Sequence, residues 1–290
     1  MIDQRTKETI KSELNKHVAH IGSANKAAAT LGISNATISN IQNGKDELIS
    51  AEMWRKIAAA TGMKIEERWQ HADIKPFEKL YGFFHNARMH SNVFALVTNP
   101  GGGKSYTLDY AREQGKNVYY VKCLRSTTER DFLTDLLRSM GKVPQTHRLN
   151  DMLKLLVREL QKAENPVIIV DEFEKVKTEL FLLAIDLYNL LEGVCGLVFI
   201  GTPNLKNRIE NGVGRNKLGY NEFLSRVGGK VIEIPAPTHS DAIKVITANG
   251  INDMGVIDHI IADSDDENHR VDLRRVKRLV HAHLMRKAVA

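Results

Sequence analysis

The run Thr98-Asn99-Pro100-Gly101-Gly102-Gly103-Lys104-Ser105 sets three consecutive glycines before a lysine and a hydroxyl. It follows an apolar run and leads into a helical pattern through Leu108 and Ala111. A glycine-rich turn opening a helix points backbone N–H groups at one place, and the helix dipole favours an anion there. Lys104 would neutralise the outer phosphates of a nucleotide, and the Ser105 hydroxyl would ligate Mg²⁺. Asn99, Pro100, Gly101, Gly102, Gly103 and the following Tyr106 are assigned to the same ligand, ATP. One residue departs from the usual G-x-x-x-x-G-K-[ST] spacing: Thr98 stands where the first glycine is expected. Either the first bend tolerates threonine or nucleotide binding is weaker.

A second constellation lies 67 residues after Lys104, where the apolar run Val167–Val170 ends in Asp171-Glu172. Two adjacent carboxylates at the end of a buried strand are costly without a cation or a hydrogen-bonded water. Asp171 would hold Mg²⁺ through its water shell and contact the nucleotide, while Glu172 would orient and deprotonate an attacking water.

These groups need a rigid frame, and the hydrophobic pattern supplies one. Short apolar runs at Val93–Val97, Val118–Val121, Val167–Val170, Leu197–Ile200 and Val231–Ile234 alternate with longer helical patterns. Strands buried on both faces and separated by helices predict a parallel sheet covered by helices, an α/β P-loop core over residues 93–237. Pro235-Ala-Pro237 ends that region, and 238–290 reads as helices only, with a basic C-terminus. Residues 1–70 also read as short helices, and 71–92 as a polar, aromatic-dotted linker.

Within the first region, Ser23 to Lys45 has the build of a helix-turn-helix. Small alanines allow close helix approach, Gly32 supplies the turn, Ser34 can cap the second helix, and Ile33, Ile38 and Ile41 face inward. Asn35, Thr37 and Asn40 then face outward, where short polar groups contact base edges or phosphates. The helix of Met53, Trp54 and Ile57 would close this core. The stretch resembles the helix-turn-helix domains of the lambda repressor class; a helical bundle for protein contacts is the other reading.

The formal net charge is +6, and residues 270–290 carry an equal excess, with 7 Lys+Arg against 1 acid. Such a segment meets DNA phosphates, an anionic ligand or an acidic partner. No apolar run approaches the roughly 20 residues needed to span a bilayer, and the first residues offer no apolar signal segment. A soluble, cytoplasmic protein is expected, with no membrane partner. Cys123 and Cys195 have no partners at metal spacing and read as packing residues.

The two acidic and glycine-rich elements, in this order and with a further strand between them, resemble the AAA+ ATPases. That resemblance implies roles for other residues. Thr202, or alternatively Asn204, matches the position that senses the γ-phosphate after the Leu197–Ile200 strand. Ser225-Arg226 matches the pair supplying an arginine finger to a neighbouring subunit's ATP, and Arg274 the lid arginine that touches nucleotide in cis. A helix-turn-helix joined to a minimal AAA+ module with a short helical lid is similar to the transposition branch, the Mu B-type target-DNA activators. The resemblance implies an ATP- and Mg²⁺-dependent homo-oligomer that forms a helical filament on double-stranded DNA in a bacterial host's cytoplasm. It would deliver target DNA to a transposase, with hydrolysis driving disassembly and target immunity. Lys122, Arg125 and Thr127, after the second strand, would then meet DNA; a solvated loop is the other reading of that turn. Lys277, Arg278, Arg286 and Lys287 would serve DNA or a partner. The alternatives in function are a helicase-loading AAA+ factor and a nucleotide-sensing DNA-binding regulator.

Overall fold

The computed structural model describes residues 4–63, 69–267 and 270–289, without the side chains of 4, 5, 51 and 287–289, so the Lys287 side chain lies outside the described residues. The chain divides into two compact units, Met1–Trp69 and Gln70–Ala290.

The first unit contains α1 (Gln4–Ile21), α2 (Ala24–Leu31), α3 (Asn35–Gln42), a 3-10 turn (Asp46–Leu48) and α4 (Ala51–Ala60). α2 ends because Gly32 takes a left-handed φ of 63°, while the Ile33 and Gly32 N–H groups donate to Ala28 O and Ala29 O. The Lys56 ammonium also donates to the Gly32 carbonyl (2.6 Å). α3 starts where Ser34 accepts from the Thr37 N–H (3.0 Å), the N-cap read from the sequence. Ile10, Leu14, Ile38, Trp54 and Ile57 are fully buried in the common core.

The second unit is built on a five-stranded parallel sheet, in the order β2-β3-β4-β1-β5. The strands are β1 (Val93–Val97), β2 (Val118–Lys122), β3 (Val167–Asp171), β4 (Gly196–Gly201) and β5 (Ile232–Glu233). All five apolar runs became strands. β5 is shorter than its run, pairing only Ile232 and Glu233 at the sheet edge between Gly228-Gly229 and Pro235. Alternation along β3 sends Ile168 and Val170 to one face, and Val167 and Ile169 to the other. The first face is covered by α7 (Glu129–Ser139), α8 (Leu149–Lys162), α9 (Thr178–Leu191), α10 (Pro203–Gly214) and α11 (Tyr220–Arg226). The second is covered by α5 (Lys75–His90) and α6 (Lys104–Gln114).

The expected linker 71–92 is corrected here, because most of it is α5. Leu80, Phe84 and Ala87 bury one stripe of that helix in the sheet's second core, and its other face carries the polar residues that made it read as a connector. Contact is close enough that a Cβ at Gly196 of β4 would overlap the carbonyl of Ala87. α12 (His239–Ala248), α13 (Met254–Ser264) and α14 (Leu273–Val289) complete the unit. Among the described residues no helix is long and apolar enough to cross a membrane. Cys123 and Cys195 are buried, and burial pushes both thiols up to about 12.

Candidate nucleotide site

β1 ends at Val97, the chain turns through Thr98–Gly103, and α6 begins at Lys104. Gly101 (φ 76°) and Gly103 (φ 85°) occupy left-handed backbone that a side chain would strain. Thr98 has a negative φ, is 4% exposed, and donates its N–H to Gly201 O (3.0 Å). The first bend therefore makes no conformational demand for glycine, and the threonine is accommodated.

β3 carries Asp171 to the same end of the sheet. Its Oδ1 accepts from the Lys104 ammonium and from the Glu172 N–H (2.7 Å), and its Oδ2 from the Tyr120 hydroxyl (3.1 Å). Burial, then the charge of Asp171, raises the Tyr120 pKa, which keeps that phenol a donor. The lysine of the glycine turn and the carboxylate of the distant strand thus form one ion pair at a nearly solvent-free point.

Glu172 takes a left-handed φ of 56°, rare for a residue with a side chain, and its carboxylate sits between Lys122 (3.1 Å) and Lys175. Burial alone would push its pKa up; hydrogen bonds from Lys175 and Lys122 outweigh that and hold the carboxyl below its ordinary range. The next residue, Phe173, is 1% exposed and packs among Phe181, Phe199 and Phe223, with ring centroids 5.7, 4.6 and 5.6 Å away. Burying such a ring stabilises by about 1.5–3 kcal/mol, which anchors the acidic turn.

Sequence reasoning missed Glu174 on that turn. Its Oε1 accepts from the Thr202 hydroxyl (2.9 Å), and its buried Oε2 has no hydrogen-bond partner among the described residues. Asn204 is exposed in the first turn of α10, so Thr202 is the candidate brought into this network. Tyr120 and Lys175 were missed as well. The signal for Lys175 was its spacing of three from Glu172; Tyr120 needed the pairing of β2 with β3.

The start of α14 rests on the glycine turn. The Leu273 N–H donates to Gly101 O (3.0 Å), and Arg270 Nη1 donates to Asn99 Oδ1 (3.5 Å). A Cβ on Gly101 would overlap the Asp272 carboxylate, so this glycine is required by the lid helix as well as by its own backbone. Asp272 Oδ1 accepts from the Arg274 N–H (2.8 Å), and the Arg274 side chain is exposed beside the turn. Ser105 is exposed in the first turn of α6. Tyr106, one residue on, donates to or accepts from His71 Nδ1 (3.1 Å) in an aromatic cluster with Phe77 and Tyr110.

Arg226 lies elsewhere in the unit. Its guanidinium stands over the Tyr188 ring (4.9 Å) and 3.7 Å from Glu222, and its buried Nε has no hydrogen-bond partner among the described residues. Of the DNA candidates, Lys122 is half exposed and Arg125 is exposed. Thr127 differs from both: it is buried, its hydroxyl accepts from the Leu124 N–H (2.8 Å), and its N–H donates to Leu124 O (3.1 Å). It closes the turn after β2, and its buried hydroxyl is turned to the chain's own backbone. In the first unit Asn35 is exposed and Asn40 half-buried, while the Thr37 hydroxyl bonds with that of Ser34 (2.8 Å).

Two solved structures resemble parts of the chain. One is Drosophila ORC bound to DNA, with 15% identity, a TM-score of 0.39, and 69% of this chain covering 52% of that one. The other is the Thermotoga maritima RuvB Holliday junction branch migration motor, with 16% identity, a TM-score of 0.38, and 72% of this chain covering 61% of that one. This chain therefore spans only about half to three-fifths of each. No curated protein sequence matches it. Residues 87–209, which hold the glycine turn, the Asp171-Glu172 strand end and Thr202, match the AAA domain family.

Proposed function

We propose that the protein is a DNA-binding AAA+ ATPase that holds ATP with Mg²⁺ and couples hydrolysis to its assembly on double-stranded DNA. The observation that carries this reading is the Lys104–Asp171 pair, which joins the glycine turn to the acidic strand end. The residues fit the group. Backbone N–H groups of the turn and Lys104 suit phosphates, and the oxygens of Ser105 and Asp171 are the hard donors that Mg²⁺ prefers. Bound, the nucleotide would supply the phosphoanhydride whose terminal phosphoryl group goes to water.

The chain's own residues do the rest. With nucleotide and metal bound, Lys104 would meet a phosphate, and Asp171 with Ser105 would hold the metal. Glu172 takes the proton of the attacking water once Lys122 and Lys175 loosen their hold. Lys122 and Arg125, both exposed, would also meet DNA phosphates, so DNA would compete with Glu172 for the Lys122 cation. Arg274 approaches the nucleotide in cis from the lid, and Arg226 leaves Tyr188 to reach a neighbouring protomer's ATP. Assembly and hydrolysis are thereby linked.

The finer reading is a target-DNA activator in transposition: a helical homo-oligomer on duplex DNA that presents target to a transposase, whose contact promotes hydrolysis and disassembly. It is supported by the Mu B-type combination of a helix-turn-helix with a minimal AAA+ module. Negative-stain microscopy with ATP, Mg²⁺ and random duplex DNA should show decorated filaments that vanish on adding excess ADP. Discrete rings on single strands in place of filaments would favour the helicase-loading alternative.

A further inference from the structure

We infer that Glu174 is a positioning residue that fixes the Thr202 hydroxyl as a hydrogen-bond acceptor towards the site, so that the pair orients the attacking water and does not read the γ-phosphate by donation. This rests on the ATPase reading above. A hydroxyl has one proton and two lone pairs. The Thr202 proton is committed to Glu174 Oε1 (2.9 Å), and the Thr202 N–H points to the same oxygen (3.4 Å). What Oγ1 can offer a third group is a lone pair, which suits the O–H of a water and repels a phosphate oxygen.

Several features hold Glu174 in that posture. Phe173 anchors the turn on one side, and Arg208 Nη1 donates to Glu174 O (2.9 Å) and Val176 O (2.6 Å) on the other. Arg208 is itself fixed, donating through Nε to the Tyr220 hydroxyl (3.0 Å) and standing 5.3 Å over the Phe181 ring. A Cβ on Gly201 would overlap Glu174 Oε2, so the strand end is built without a side chain where the carboxylate must lie. Gly201 pairs with Val97 and accepts from the Thr98 N–H, which sets this carboxylate at the ends of the two central strands, beside the glycine turn.

The test uses the full chain with DNA, measuring affinity for fluorescent ATP and ADP and steady-state turnover. T202V and E174A should each lower kcat by about 100-fold, as misplacement of a reacting group does. The ratio of ATP to ADP affinity should stay within about twofold of wild type, because no phosphate contact is lost. T202S keeps the hydroxyl and E174Q keeps a carbonyl acceptor, and both should restore most of the turnover. The double variant should be no slower than the slower single one, since the two act as a unit. A fall in ATP affinity without a fall in ADP affinity in T202V would mean that the hydroxyl donates to phosphate, and would overturn the inference. Unchanged turnover in E174A would reduce Glu174 to a helix cap. If E174A does not fold, the T202V, T202S and E174Q series decides by the same criteria. Wild-type protein that binds neither nucleotide would sink the ATPase reading, whereas normal binding with a shifted ratio sinks only this inference.

Discussion

The helix-turn-helix face and the nucleotide site use polar side chains in opposite ways. On α3, Asn35 projects to solvent, and the Ser34 and Thr37 hydroxyls bond with each other and, at Ser34, with the Thr37 N–H. In the α/β unit the charged candidate groups are bound to partners: Lys104 to Asp171, Glu172 to Lys122 and Lys175, Arg226 to Tyr188 and Glu222. A surface that reads DNA needs groups that are free to meet base edges. A hydrolytic site instead needs charges whose partners change during turnover, so its resting state stores them in pairs. The first kind of surface can be weakened one contact at a time, whereas the second fails as a unit.

That contrast can be broken experimentally, and the largest expected effect is at Lys104. K104A should abolish ATP binding, and with it filament assembly; retained fluorescent-ATP binding at micromolar protein would remove the glycine turn from the site. R226A should bind ATP nearly normally yet lose about 10³-fold or more of DNA-stimulated hydrolysis, as arginine fingers do. Full stimulation in that variant would move the finger to another residue, with Arg215 at the end of α10 the next to test.

A smaller effect is expected from the lysines around Glu172. Their hydrogen bonds hold its carboxyl below the ordinary range, so as a base it stays ionised to lower pH. Removing both in K122A/K175A leaves burial to act alone, so the acid limb of the rate–pH profile should move to higher pH. Basal hydrolysis at neutral pH should rise by about 10-fold as the carboxylate is released. An unmoved acid limb would assign that titration to another group. The smallest effect belongs to the helix-turn-helix: N35A and N40A should each weaken duplex binding by about 1 kcal/mol and leave basal hydrolysis unchanged. Losses there that also abolish nucleotide binding would contradict the separation of the two regions.

How much could be read beforehand differs by element. All five strands were legible because β-branched runs flanked by turns carry their own signal, and Gly32 and Ser34 marked a helix end and start by local chemistry alone. α5 was hidden because Phe77, Leu80, Phe84 and Ala87 are interleaved with Lys, His and Asn, so its stripe is recognisable only against the sheet it covers. Thr127 was grouped with the basic residues near it, and only the turn geometry showed that it is buried with its hydroxyl oxygen accepting from the Leu124 N–H. Glu174 stood in plain view after Asp171-Glu172, yet its contact depended on β4 lying beside β3, as that of Tyr120 did on β2; Lys175 reaches Glu172 within its own turn.

The chain by itself determined the chemistry available at each point: a glycine turn that cradles an anion, a strand ending in acids, and caps and periods that make local helices. These follow from φ preferences, side-chain type and spacing, which act over a few residues. Tertiary structure decided the pairing of those groups. The strand order puts β4 between β3 and β1, so Thr202 and Glu174 meet beside the turn from β1, and it puts Lys122 at the edge of β3, against Glu172. Hydrogen bonds and ion pairs depend on separations of about 3 Å, and contacts between residues far apart in sequence exist only once the sheet has brought their strand ends together.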